Sequence, residues 1–222
     1  MVEEVYLKPG RFVESDDSAI VALARTAAGQ PADPITTAIR LFQAVRDQIA
    51  YDPYVDFNAV ETFSAKGVLS QGRGFCIPKA ALLAACARAI GIPARLGFAD
   101  VRNHLASPRL VKANNGDVFR WHSYTELFLE GKWVKATPAF DMALCLRCGI
   151  KPLEFDGTTD SIFHPYDEQN QRHMEYVQDR GTYADVPLEQ VLATWRRESP
   201  ALFETGWYSG AKSFSVEVQS AE

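Results

Sequence analysis

Cys76 and His122 are the two residues whose types and settings could do chemistry together. Cys76 follows the tight glycine-rich turn Ser70-Gln71-Gly72-Arg73-Gly74-Phe75 and opens a run to Ile90 that is small and apolar on nearly every side. Such a run predicts a buried helix. At a helix N-terminus the unpaired N–H groups and the helix dipole favour an anion, and a cysteine so placed can have a lowered pKa. The glycines ahead of it let a substrate backbone come close. His122 lies in Trp121-His122-Ser123-Tyr124-Thr125-Glu126-Leu127-Phe128, a strand-like run. If that strand packs on the helix start, the imidazole becomes the base or cationic partner that a thiol nucleophile needs. Taken singly, Cys76 reads equally as a buried structural cysteine and His122 as a satisfied strand histidine. The pairing is what points to nucleophilic chemistry.

An imidazole in that role calls for a third group to orient it. Lys132–Thr137 reads as the second arm of a hairpin closed by Glu130-Gly131. With a two-residue loop, and the pairing carried onward, His122 falls opposite Ala139. Thr137 and Asp141 then become its diagonal neighbours on the same face. Asp141 has the better chemistry, because a carboxylate both holds the ring and stabilises its cation; Thr137 is the alternative. One oxyanion donor would be the Cys76 amide, and Tyr51, Tyr54 and Gln71 are candidates for a second.

The elements that must position these groups fall in two blocks. Helices are predicted over about 18–28, capped from the cluster Ser15-Asp16-Asp17, and over about 34–50, opened by Asp33-Pro34. A short helix near 62–67 and the Cys76 helix follow, the latter stopped by Gly91 and Pro93. Then the period changes to two: Ala94–Asp100 and the hairpin read as strands, separated by a long polar loop at 102–120. Beyond Asp141 come a mixed segment, a helix over about 187–197 and a polar tail. Helices first and strands later predict an α+β fold in one domain spanning 1–222.

Here the sequence resembles a known family. Gly72-Arg73-Gly74-Phe75-Cys76, with Lys79-Ala80-Ala81-Leu82-Leu83-Ala84-Ala85 and Arg88-Ala89-Ile90-Gly91-Ile92-Pro93-Ala94-Arg95, looks like the nucleophile region of bacterial transglutaminase-like proteins. Trp121 to Phe128, then Gly131-Lys132-Trp133-Val134, resembles that family's histidine and following strand. The resemblance covers roughly 35–141, leaving a C-terminal extension over about 142–222. It implies a papain-like core in which a central helix carries Cys76 and an antiparallel sheet carries His122. It also implies thiol-dependent acyl transfer or amide hydrolysis through a Cys76 thioester, on a peptide, protein or small amide and without a cofactor. Two departures stand out. Thr137 occupies the family's usual aspartate position, with Asp141 four residues on, and Lys79 stands where many members carry an acidic residue. Two rival readings remain: an arylamine N-acetyltransferase-like enzyme using acetyl-CoA, echoed by Arg73-Gly74, and a catalytically retired binding module.

The bulk numbers exclude other classes. A net charge of −5 argues against a nucleic-acid binder and against docking on an anionic membrane. No basic, apolar leader opens the chain and no apolar run approaches the roughly 20 residues that span a bilayer. The expectation is a cytoplasmic protein with four free cysteines. Cys145 and Cys148 form a lone C-x-x-C with no second pair, so no metal site is expected. His164 and His173 are candidates for lining the substrate cleft. Oligomeric state is left open.

Overall fold

The computed structural model describes residues 2–30, 32–104, 106–163, 174–208 and 214. Two helices come first, α1 (Ser18–Ala28) and α2 (Pro34–Gln48), each capped where the sequence predicts. Asp17 accepts the amides of Ala19 and Ile20, Asp33 accepts that of Thr36, and Pro34 sits where a missing N–H costs nothing. A two-residue strand β1 (Ala50–Tyr51) pairs in parallel with β2 (Arg73–Gly74), and α3 (Ala65–Gln71) lies between them. Where a helix near 62–67 was expected, there is a 3-10 turn at Val60–Phe63 and then α3, because Ser64 caps a fresh helix by accepting the Gly67 amide. Gly72 then takes the left-handed conformation, with φ of 65°, and reverses the chain toward Cys76.

Helix α4 (Cys76–Ala89) is the axis of the fold. Every residue from Ile77 to Arg88 is buried. α1, α2 and α3 pack against it from one side and the main sheet from the other. That sheet is wholly antiparallel, in the order β5-β4-β3-β6, from β3 (Ala94–Asn103), β4 (Val118–Leu129), β5 (Lys132–Ala136) and β6 (Met174–Tyr183). Three more helices complete it: α5 (Pro108–Asn114), α6 (Met142–Arg147) and α7 (Leu188–Glu198). The architecture is α+β, with a central cysteine-bearing helix against the sheet that carries His122.

Two expectations need correction. The stretch 102–120 is no continuous loop: β3 and β4 run into it from both sides, and α5 fills the middle. Ser107 caps α5 through the Leu110 amide and Asn115 ends it with φ of 58°. The stretch after α7 is no plain polar tail either. Its 3-10 turns at Pro200–Phe203 and Thr205–Trp207 bury Leu202 and Trp207 in the main core.

Lys79 is the oddity of α4: it is 0% exposed on a helix packed all round. Its ammonium donates to the carbonyls of Arg46, at 2.9 Å, and Ile49. Those carbonyls end α2, where a cation is favoured by both the free acceptors and the helix dipole. Burial pushes the amine down to about 7, and Asp141 is the foremost charge opposing that drop, followed by Asp47.

Candidate active site

The glycine turn delivers Cys76 to an open helix end. A side chain at Gly74 would run into Val68 at 2.6 Å, so only glycine lets the chain pass α3 there. Phe75 occupies the cap position of α4 and offers no capping side chain. The first amides of the helix are thus left for other acceptors, and those of Cys76 and Ile77 turn toward the Cys76 sulfur. A third amide, that of Ser123 on β4, also donates to it. The sulfur is therefore held against the residue next to His122. β4 is itself fastened to α4, since the Thr125 hydroxyl donates to the Ala80 carbonyl at 2.8 Å.

His122 reaches the site through a local distortion. The β3–β4 register jumps from Ala99 opposite His122 to Val101 opposite Phe119, and Trp121 is left with φ of 62°. Left-handed backbone at a tryptophan is strained and persists only when its surroundings enforce it. Here Asp100 accepts the Trp121 amide at 3.2 Å. The same carboxylate takes two hydrogen bonds from Arg180 on β6, at 2.9 and 2.6 Å. The Arg180 guanidinium also lies 5.3 Å from the Trp121 ring centre. Bulges next to functional sites re-aim side chains, and this one sets the residue before His122. No sequence pattern announces it, because Asp100 and Arg180 are ordinary charged residues until the strands pair.

Cys76 and His122 line one cavity of about 800 Å³, its open mouth included. Tyr51 lines it too. Tyr54 and Gln71 do not: Tyr54 is buried against Trp207, with ring centres 4.9 Å apart, and Gln71 is exposed at the end of α3. His164 and His173 lie outside the described residues.

Asp141 is placed elsewhere than the sequence suggested. The hairpin does close in two residues, and the assumed register holds from Leu129–Lys132 to Thr125–Ala136. But β5 ends at Ala136, because the Thr137 amide turns away to the Ser161 carbonyl at 3.1 Å. The extrapolated pairing that would set Asp141 beside His122 is never made. Instead Asp141 caps α6 by accepting the Leu144 amide at 2.9 Å. Its second oxygen accepts the Tyr51 amide at 2.8 Å. Together with its charge near Lys79, this is a structural post, and it accounts for the lysine that the sequence left unexplained.

Among the described residues no carboxylate bonds to His122. Its ring is 7% exposed and lies 5.2 Å from Phe163 between ring centres, and its Nε2 has no hydrogen-bond partner. The Thr137 hydroxyl is also buried, beside the Tyr176 hydroxyl. Burial alone lowers His122 to about 4 and raises Cys76 to about 11, despite the three amides on the sulfur. Moving the proton from a thiol at about 11 to an imidazole at about 4 would then cost roughly 10 kcal/mol, at about 1.4 per pKa unit. Their mutual attraction would return about 4 kcal/mol at 4 Å and an effective dielectric near 20. The resting pair is therefore neutral thiol beside neutral imidazole.

Two outcomes follow. Asp141→Asn should lower the unfolding free energy by about 1–2 kcal/mol, through the lost charge opposite Lys79, and leave kcat/KM of the folded enzyme within about threefold. A loss of about a hundredfold in a folded variant would return Asp141 to the histidine. The second concerns pH. Below about 4 His122 gains a proton and can accept no other; above about 11 the thiol ionises. A profile of kcat/KM should be flat between those limits, and an acid limb near 6.5 would contradict the neutral pair.

The family model of the transglutaminase-like superfamily matches residues 21–138, which include both Cys76 and His122. No curated protein matches. Among solved structures, a candidate cysteine protease from Cytophaga hutchinsonii is 21% identical with a TM-score of 0.46, over 62% of this chain and 43% of that one. A candidate protease from Parabacteroides distasonis is 12% identical with a TM-score of 0.41, over 60% of this chain and 26% of that one. A structure described as a TGase is 18% identical with a TM-score of 0.41, over 60% of this chain and 34% of its own. The chain thus spans less than half the length of each of these structures. With its match running over more than half of the 222 residues, the chain belongs to the transglutaminase-like superfamily.

Proposed function

We propose that the chain transfers acyl groups from amides through a thioester on Cys76, with His122 as general base and then general acid. The reading rests on one observation: a cysteine at the open N-terminus of α4 and a neutral histidine share a single cavity. His122 takes the thiol proton as the sulfur attacks the carbonyl carbon. The carbon–nitrogen bond breaks, the proton passes to the departing amine, and the acyl group remains on sulfur. Water or a second amine then attacks the thioester, His122 again accepting the proton, to give an acid or a new amide and the free thiol. The amides of Cys76 and Ile77 are the donors best placed for the oxyanion. The substrate is a peptide, protein or small amide.

A second reading also has an observation behind it. The absence of a carboxylate on His122 among the described residues, with Cys76 held up at about 11, is what a retired domain kept as a binding module would show.

The two separate on acylation of Cys76. Incubation with activated amides should add the acyl mass to the intact protein, and Cys76→Ala should remove the adduct while keeping the fold. His122→Ala should slow its formation by about 10²–10⁴-fold, the usual worth of a positioned base. Added amine should divert the thioester to a new amide if transfer competes with hydrolysis. If no amide acylates Cys76, and iodoacetamide labels it no faster than free cysteine with or without His122, the domain is a binding module.

A further inference from the structure

The cavity that holds Cys76 is lined largely by aromatic rings. Phe57 meets Phe75 at 5.2 Å and Trp195 at 5.1 Å, edge to face, and stacks on Trp207 at 6.3 Å. In a second set Tyr51 meets Phe140 at 4.7 Å, and Phe140 meets Phe163 at 4.9 Å, the ring 5.2 Å from His122. Interlocked pairs of this kind fix ring positions and keep the walls from collapsing. Rings of both sets line the cavity that holds the sulfur.

Charge is almost missing from it. Among the described residues Arg120 is the one charged side chain lining the cavity, and it is drawn toward Glu198 at 3.5 Å. Among the described residues no carboxylate lines it, so none of them would pair with a buried cationic substrate group. Asn114 cannot serve a polar ligand with its amide nitrogen, which already donates to the carbonyls of Gly116 and Val118 at 2.8 and 2.9 Å. The lining is otherwise mostly apolar and aromatic, as in small-molecule sites.

We infer that the acyl donor is an amide whose acyl portion carries a bulky apolar or aromatic side chain, seated among these rings as the thioester forms. This rests on the thioester reading above and adds the substrate class. The side chain desolvates against the aromatic lining of the cavity, Phe119 and Phe140 included. That contact persists from substrate to thioester, so it governs acylation and discriminates among acyl groups, whatever the leaving amine. Much of the selecting surface comes from outside the family match, through Trp195 and Trp207.

The test is a panel of N-acetyl-aminoacyl 4-methylcoumarinyl amides with phenylalanine, leucine, alanine, glutamine, glutamate or lysine as the acyl residue. Coumarin release and the mass of the acyl-enzyme are both followed. Phenylalanine should exceed alanine by about 10²-fold in kcat/KM, with leucine between them, since hydrophobic pockets discriminate by about 10-fold or more per methylene-sized contact. Lysine and glutamate should fall below alanine. Phe119→Ala, at a half-buried lining position, should cut the phenylalanine-to-alanine ratio about tenfold, and a ratio does not depend on the fraction of protein folded. Turnover with equal rates for phenylalanine and alanine, or with glutamine or a charged residue preferred, overturns the substrate assignment and leaves the thioester reading standing. Failure of every amide to acylate Cys76 sinks the thioester reading and this inference with it.

Discussion

The structure depends on burying α4 on every side. A helix made of alanine, leucine and one cysteine past its first turn can be enclosed by three helices and a sheet at little cost. The two residues that break the pattern, Lys79 and Arg88, are both satisfied by backbone carbonyls; Arg88 reaches those of Lys8 and Ala94. Enclosure brings the N-terminus of the helix against β4 and places Cys76 where the Ser123 amide meets its sulfur. The same enclosure withdraws water from the imidazole. The packing that assembles the pair therefore also discharges it.

This reverses the usual expectation for a cysteine at a helix start. Dipole and amides act to lower the thiol pKa, but here desolvation is the larger effect. A neutral pair holds the same single proton as a thiolate–imidazolium pair, so it is competent for acyl chemistry if the proton moves as the sulfur attacks. Among the described residues no carboxylate bonds to His122, which fits that condition. A negative charge beside the ring would favour the imidazolium and shift the balance toward the ion pair. Asp141, the nearest candidate by sequence, is committed to capping α6, binding the Tyr51 amide and standing near Lys79.

The sequence disclosed the parts whose signal is local. Cys76, its helix, the caps at Asp17 and Asp33 and the two-residue hairpin turn each follow from a few adjacent residues, and each stands where expected. His122 was legible because its strand alternates. What escaped was fixed by contacts between distant segments. β5 stops at Ala136 because Ser161 takes over the next backbone bond. The bulge before His122 exists because Asp100 and Arg180 meet across β3 and β6. The aromatic walls draw on Trp195 and Trp207, which read as helix surface and polar tail until they pack on Phe57.

We propose that His122 rests neutral beside a neutral thiol and acts as a base. Nitrogen-15 NMR of the imidazole at pH 7 tests it most directly. The account predicts a neutral ring in one tautomer, unchanged by Cys76→Ala and gaining a proton only near pH 4. An imidazolium at pH 7 that becomes neutral when Cys76 is replaced would contradict it.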